Sequence, residues 1–251
     1  MIGVIIPAHD EAESIGACVR SVKLAAEHPE ISAERVLVIV VADACTDATE
    51  SIAAAAGALV LSIRKRSVGQ ARTIGASLAL SSGARWLSFT DADSTVPNDW
   101  IAQQLRCQTD AVCGVIAIAD WHGHSRAVRE EFETTYHDRD GHRHIHGANL
   151  GVSASAYQAS GGFQPVDFNE DVALVDTLIA TGATVSWTNK VRVQTSARTG
   201  FRAPWGFGAT LLSASKRLAN VVLDTPAYPS ASNASKGSGT DDPVESLPSM
   251  A

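Results

Sequence analysis

Apolar residues follow two rhythms along most of this chain. Short unbroken runs alternate with stretches in which apolar positions recur every three to four residues. Gly3 to Pro7 is such a run and predicts a strand. From Glu11 to Ala26, Ile15, Cys18, Val19 and Val22 fall at helical spacing. Arg35 to Val41 is almost wholly apolar, the pattern of a strand covered on both faces. Thr46 to Ala56 opens with Thr, Asp and Thr, good first-turn chemistry, and Gly57 closes it. Ala58 to Ile63 predicts a strand, Gly69 to Ser82 a helix of small residues ended by Gly83, and Trp86 to Thr90 a strand. Strand and helix in alternation predict an α/β fold: a Rossmann-like, mostly parallel central sheet with right-handed crossovers and helices on both faces.

Beyond Thr90 the pattern loosens. Pro97 to Cys107 predicts a helix with proline near its first turn. Ala111 to Ile118 predicts a strand, and Asp120 to Arg143 is polar and charged, a partly exposed helix or loop. Gly147 to Ser153 returns to strand character, Gly161-Gly162-Phe163 marks a turn, and Glu170 to Ala180 predicts a largely buried helix. Thr184 to Trp187 and Val191 to Thr195 read as two further strands of a smaller sheet portion, and Trp205 to Leu223 as a covering amphipathic helix. The stretch 225–251 is rich in Ser, Pro, Gly, Asn and Asp and predicts a disordered tail. The expected organisation is one domain over 1–224, with halves 1–95 and 96–224, followed by that tail.

Charge and composition narrow the function classes. The 251 residues carry a net charge of -7, without a cluster of Lys and Arg, which argues against nucleic acid as a partner. Cys18, Cys45, Cys107 and Cys113 form no CxxC pair, so free thiols of a reducing cytoplasm are expected. The opening MIGVIIP predicts no secretory leader, and no apolar window is long enough to predict a membrane span. Lys216 and Arg217 leave open a peripheral contact at the inner face of the membrane.

The chemistry gathers at strand ends. Parallel sheets bind ligands beyond the carboxyl ends of their strands. Three of those ends carry acids: Asp10-Glu11, Asp43, and Asp91-Ala92-Asp93. On an extended chain Asp91 and Asp93 share a side and repel each other unless a cation sits between them. A divalent metal, Mg2+ or Mn2+, is the expected cation, with a phosphate ester as its natural companion.

With these motifs placed, the chain resembles the family 2 nucleotide-sugar glycosyltransferases, which have the GT-A fold. The resemblance runs from about Gly3 to Arg198. VIIPAHDEAESI resembles the family's opening strand and acidic turn, implying donor contacts from Pro7, Ala8, Asp10 and Glu11. VVADACTDAT resembles the second strand end, whose Asp43 would meet the nucleotide base. SVGQARTIGA places Arg72 near the nucleotide, with Thr73 where the family usually has Asn. FTDADS matches the metal-binding D-x-D, implying Asp93 and Asp91 as ligands and Ala92 beside the donor. GANLGVSASAYQASGGF resembles the acceptor-side strand and helix. FNEDVALVDTLIATG resembles the segment of the catalytic base, which would be Asp171, with Glu170 as the second candidate. The resemblance implies metal-assisted, inverting transfer from a UDP- or GDP-sugar to an acceptor that is a glycan, a lipid or a small molecule.

Each residue also has a plainer reading. Asp91 and Asp93 could form a capping turn before Pro97, and Asp43 could cap the helix near Thr46. Asp10 and Glu11 could serve a helix start, Glu170 could complete a helix N-terminus, and Arg72 could lie on a helix surface. No His follows His146, whereas family members often take a metal ligand from a later His; Arg198 or Arg202 could face the diphosphate instead. His142, His144 and His146 alternate, so a strand there would put them on one face; a metal site there lacks an obvious fourth ligand, and rings exposed or touching the acceptor are the expectation. Two rival functions remain open. DADSTV also fits the D-x-D-x-T of haloacid-dehalogenase-like phosphatases with Asp91 as nucleophile, although no Lys lies between Lys65 and Lys190. A non-catalytic nucleotide-sugar-binding protein is the other.

Overall fold

The computed structural model describes residues 1–198, apart from 32, 119, 122 and 167. The helix expected over Trp205–Leu223, the tail over 225–251, Arg202 and His122 lie outside the described residues.

Seven strands form one sheet in the order β3-β2-β1-β4-β6-β5-β7. They are β1 Ile2–Ala8, β2 Val36–Asp43, β3 Leu59–Ile63, β4 Trp86–Phe89, β5 Ala111–Ile118, β6 Leu150–Ser153 and β7 Val185–Thr195. The helices are α1 Ile15–Ala26, α2 Thr49–Ala55, α3 Val68–Ser81, α4 Trp100–Arg106, α5 Arg126–Thr135, α6 Ala154–Ala159 and α7 Glu170–Ala180. β6 runs antiparallel to both β4 and β5; every other pairing is parallel. Two apolar layers cover the faces. One gathers Ile15, Val19, Val22 and Trp100 against Val4, Ile6, Val38 and Val40. The other gathers Ala71, Ala76, Ala79, Leu174 and Leu178 against Ile5, Ile39, Val41 and Phe89. The alternation of side chains along β1 and β2 sends successive residues to opposite layers, so these strands are apolar up to the Asp43 that ends β2.

The chain runs outward from β1 to β2 to β3, then returns across β1 to β4. That reversal is the switch point of the sheet, where adjoining loops part and leave a crevice. Asp10-Glu11 and Asp91-Ala92-Asp93 follow β1 and β4 and so flank it. Because β6 is antiparallel, its first residue, Leu150, lies opposite Phe89, the last of β4. Gly147 and Asn149 therefore reach the same rim. Asn149 ties α4 to β5 and β7: its amide donates to the carbonyls of Val115 and Val191 at 2.8 and 3.0 Å, and its oxygen accepts from the Trp100 indole at 2.9 Å.

Several expectations need correction. The first helix begins at Ile15, because Glu11–Ser14 form a turn in which the Glu11 carbonyl accepts from the Ser14 and Ile15 amides. The second begins at Thr49, whose amide is taken by the Asp47 carboxylate. The fourth begins at Trp100, after a turn closed on the Pro97 carbonyl. The two strands expected over 184–195 are one, β7; its pairing with β5 jumps from Cys113–Trp187 to Val115–Arg192, so the polar Thr188-Asn189-Lys190 bulges without ending the strand. His142 to His146 form neither helix nor strand. All four cysteines are free. Among the described residues no helix is long and apolar enough to cross a membrane.

Gly3 marks where α3 presses on β1. A Cβ there would stand 2.5 Å from the Ala79 Cβ, an atom fixed by its own backbone. Gly3→Ala should therefore force helix and sheet apart and lower stability by about 2 kcal/mol, measured by denaturant unfolding with unchanged m.

Candidate active site

At the switch-point rim, carboxylates outnumber cations. Arg72 projects from the first turns of α3 and is 3% exposed. One of its terminal nitrogens donates to Glu170 at the start of α7, and the other to Asp91 Oδ1 at 2.6 Å. Phe163 lies 5.9 Å from the guanidinium carbon. Gly147 leaves the space that this guanidinium fills, since a Cβ there would stand 2.3 Å from an Arg72 nitrogen. Burial alone would push the Arg72 pKa down; Asp91, Glu170 and Asp171 together raise it instead.

Asp91 and Asp93 follow the last ladder residue of β4 on a turn closed by the Ser94 amide and the Asp91 carbonyl. They are thus not two residues of one extended face, and they meet different cations. Asp91 meets Arg72, while Asp93 Oδ2 lies 3.4 Å from a nitrogen of Arg198. The Ala92 methyl is buried in the core between them, so only its backbone can face a ligand. Burial pushes the Asp93 carboxyl up to about 7, with Asp91 and Glu11 adding to the shift and Arg198 opposing it. The site is short of positive charge. Its candidate ligand atoms are carboxylate oxygens, which suit Mg2+ or Mn2+, and a cation against Asp93 and Asp91 would oppose the part of that shift that Asp91 and Glu11 add.

Glu11 is buried and accepts from both terminal nitrogens of Arg198, at 2.7 Å for the longer contact. Ser14 Oγ also donates to it at 2.7 Å. Asp10 adopts a left-handed backbone, φ 50°, and its carboxylate accepts from the Thr46 amide at 2.6 Å. That hydrogen bond holds its pKa below the ordinary value. Asp43 accepts from the Lys65 and Ser67 amides at 2.6 and 2.8 Å, so both its oxygens brace the loop between β3 and α3. Pro7 and Ala8 pair with Val41 and Ala42 at the ends of β1 and β2. Asp171 accepts from the Gly147 amide at 2.7 Å and from the Val172 amide at 2.9 Å. Its carboxylate has further lone pairs for a hydroxyl. Glu170, by contrast, is buried against Arg72.

The histidines are stacked. Tyr136 and His144 rings lie 4.2 Å apart at 11°, and His142 and His146 flank His144 at 5.4 and 5.9 Å. The Tyr136 hydroxyl meets His146 Nε2 at 2.9 Å. Burial pushes His146 down to about 4, helped by His144 and opposed by Asp171. Sequence spacing showed that these rings share a side but not that they pack on a tyrosine. Asn149 and Gly147 carry no signal in the sequence beyond their place in the segment GANLG.

The switch point is where a mostly parallel α/β sheet binds its ligand, and here that crevice is acidic. The profile of "Glycosyl transferase family 2" matches residues 3–159, and the chain belongs to that family. Solved structures share the GT-A fold. TarS 1-349 of S. aureus in complex with UDP superposes with a TM-score of 0.60 at 13% identity, over 79% of this chain and 61% of that one. The mannosyltransferase PcManGT from Pyrobaculum calidifontis, in complex with GDP-Man and Mn2+, gives 0.60 at 18%, over 91% and 66%. Glucosyl-3-phosphoglycerate synthase of M. tuberculosis gives 0.53 at 18%, over 92% and 82%. No curated protein matches the chain at a significant level.

Two outcomes follow. Arg72→Met leaves Glu170 buried without its cation and should cost about 3–5 kcal/mol. Adding Glu170→Gln should recover more than half, read by chemical denaturation of both variants. The His146 pKa is lower in the folded chain than its ordinary 6.5. The neutral ring therefore contributes fully above pH 6.5, and that contribution is lost as pH falls toward 4. His146→Asn should flatten the stability slope across that window by up to about 3 kcal/mol, measured by thermal unfolding at stepped pH.

Proposed function

We propose that this protein moves a sugar from a nucleoside-diphosphate donor, a UDP- or GDP-sugar, to an acceptor hydroxyl, inverting the anomeric carbon in one displacement. The observation that carries this reading is the acidic crevice at the switch point, short of positive charge and faced by Asp171 at the start of α7. The solved neighbours that hold UDP, or GDP-Man with Mn2+, support it.

Asp171 takes the acceptor's proton as the hydroxyl attacks. The Gly147 and Val172 amides fix its orientation. Glu170 stays out of the chemistry because Arg72 holds it. Arg72, in turn, orients Asp91 toward the crevice. Asp93 and Asp91 would hold a divalent metal, Mg2+ or Mn2+, which supplies charge neutralisation for the leaving diphosphate when bound. Pro7, Ala8, Asp10, Glu11, Asp43 and Ala92 border the donor half, 1–95, and the acceptor meets the half 96–224. We place the protein in the cytoplasm, with a glycan, a lipid or a small molecule as acceptor.

Calorimetric titration of UDP, GDP, dTDP and CMP, each with and without Mn2+, tests the donor. One nucleotide should bind in a metal-dependent way, and Asp93→Ala should abolish it. Asp171→Asn should keep that affinity within about threefold yet lower kcat by about 10²–10⁴. Absence of binding to any nucleotide would sink the donor assignment, and unchanged turnover in Asp171→Asn would remove the base.

A further inference from the structure

Among the described residues, two guanidinium groups reach the acidic rim, and they are held in opposite ways. Arg72 is 3% exposed, gripped by Glu170 and Asp91 and roofed by Phe163. Its two carboxylates and the Phe163 ring leave it almost no exposed surface. The Arg198 side chain is 32% exposed and stands just past the end of β7, beyond the fully buried Ala197. Both of its terminal nitrogens fork onto Glu11, and one also comes within 3.4 Å of Asp93. It therefore spans the loops after β1 and β4, across the switch point, with Glu11 on one side and Asp93 on the other.

We propose that Arg198 is an exchangeable counter-ion of this site. In the free protein it neutralises Glu11 and Asp93, in the place where a divalent cation would do so. A cation approaching Asp93 meets that guanidinium and is repelled, so metal alone binds poorly. A diphosphate offers Arg198 a two-pronged anionic partner as good as the Glu11 carboxylate. Arg198 then leaves Glu11 and Asp93 for the phosphates, and Asp93 becomes free to hold metal. Donor and metal thereby enter together, each raising the affinity of the other. The diphosphate arm of this proposal rests on the nucleotide-sugar reading; the metal arm does not.

The test is Mn2+ binding to the full chain, followed by the loss of the free-Mn2+ paramagnetic resonance signal. Wild type, Arg198→Gln and Arg198→Lys are compared first without nucleotide. Removing a positive charge beside Asp93 should raise Mn2+ affinity by about tenfold in Arg198→Gln. Arg198→Lys keeps the charge but loses the fork, so a smaller gain is expected; it also decides the matter if the glutamine variant does not fold. The same proteins then receive UDP or GDP with Mn2+ saturating, and Arg198→Gln should bind the nucleotide about tenfold more weakly. Gain in the first arm with loss in the second supports the counter-ion. Mn2+ affinity that is unchanged, weaker, or undetectable in wild type and variants alike overturns it. If neither nucleotide binds wild type, the donor reading fails, while the first arm still decides whether Arg198 guards Asp93.

Discussion

The buried contact of Arg72 with Glu170 and Asp91 is the constraint around which this site is assembled. It joins α3, the start of α7 and the turn after β4, which lie far apart in sequence. A buried cation is costly to desolvate unless acceptors meet it, and here Glu170 and Asp91 meet the two terminal nitrogens while Nε stays without a partner. That requirement fixes where α7 begins relative to the sheet. Asp171, one residue past Glu170, is thereby brought against the Gly147 amide at the mouth of the crevice. The missing side chain of Gly147 is part of the same arrangement, because the guanidinium occupies its place.

Two neighbouring acids therefore have different fates. Glu170 is buried against Arg72, and Asp171 stays at the rim against the Gly147 amide. The same division separates Asp91 from Asp93 on the other side of the crevice. Asp91 is bound to the fixed cation. Asp93 is left to a half-exposed one at 3.4 Å, and burial, which that cation opposes, raises its pKa. A site built this way holds its geometry without ligand, yet keeps an electrostatic deficit that a cationic or cation-bearing ligand can relieve.

Much of this was legible in the residues. Apolar runs such as Val36–Val41 and the helical spacing of Ile15, Val19 and Val22 placed the strands and α1, and the strand ends placed the acids. Element boundaries were less legible. Glu11 looks like a first-turn helix acid, but its partner Arg198 is 187 residues away, and local pattern holds no trace of such a pairing. The break over Thr188-Asn189-Lys190 looks like a strand end because polar residues interrupt the run; pairing with β5 on either side keeps β7 whole. His142, His144 and His146 showed a shared side, but their stacking on Tyr136 depends on α5.

The sequence by itself determined the α/β class, the acidic strand ends and the family, because periodicity and short motifs are local properties of the chain. Tertiary structure alone decided which acids are neutralised and by what. Asp43 braces a loop, Glu170 is held by Arg72, and Glu11 and Asp93 share Arg198. The reason is physical: a carboxylate's role follows from its burial and its nearest cation, and both are set by contacts between distant segments.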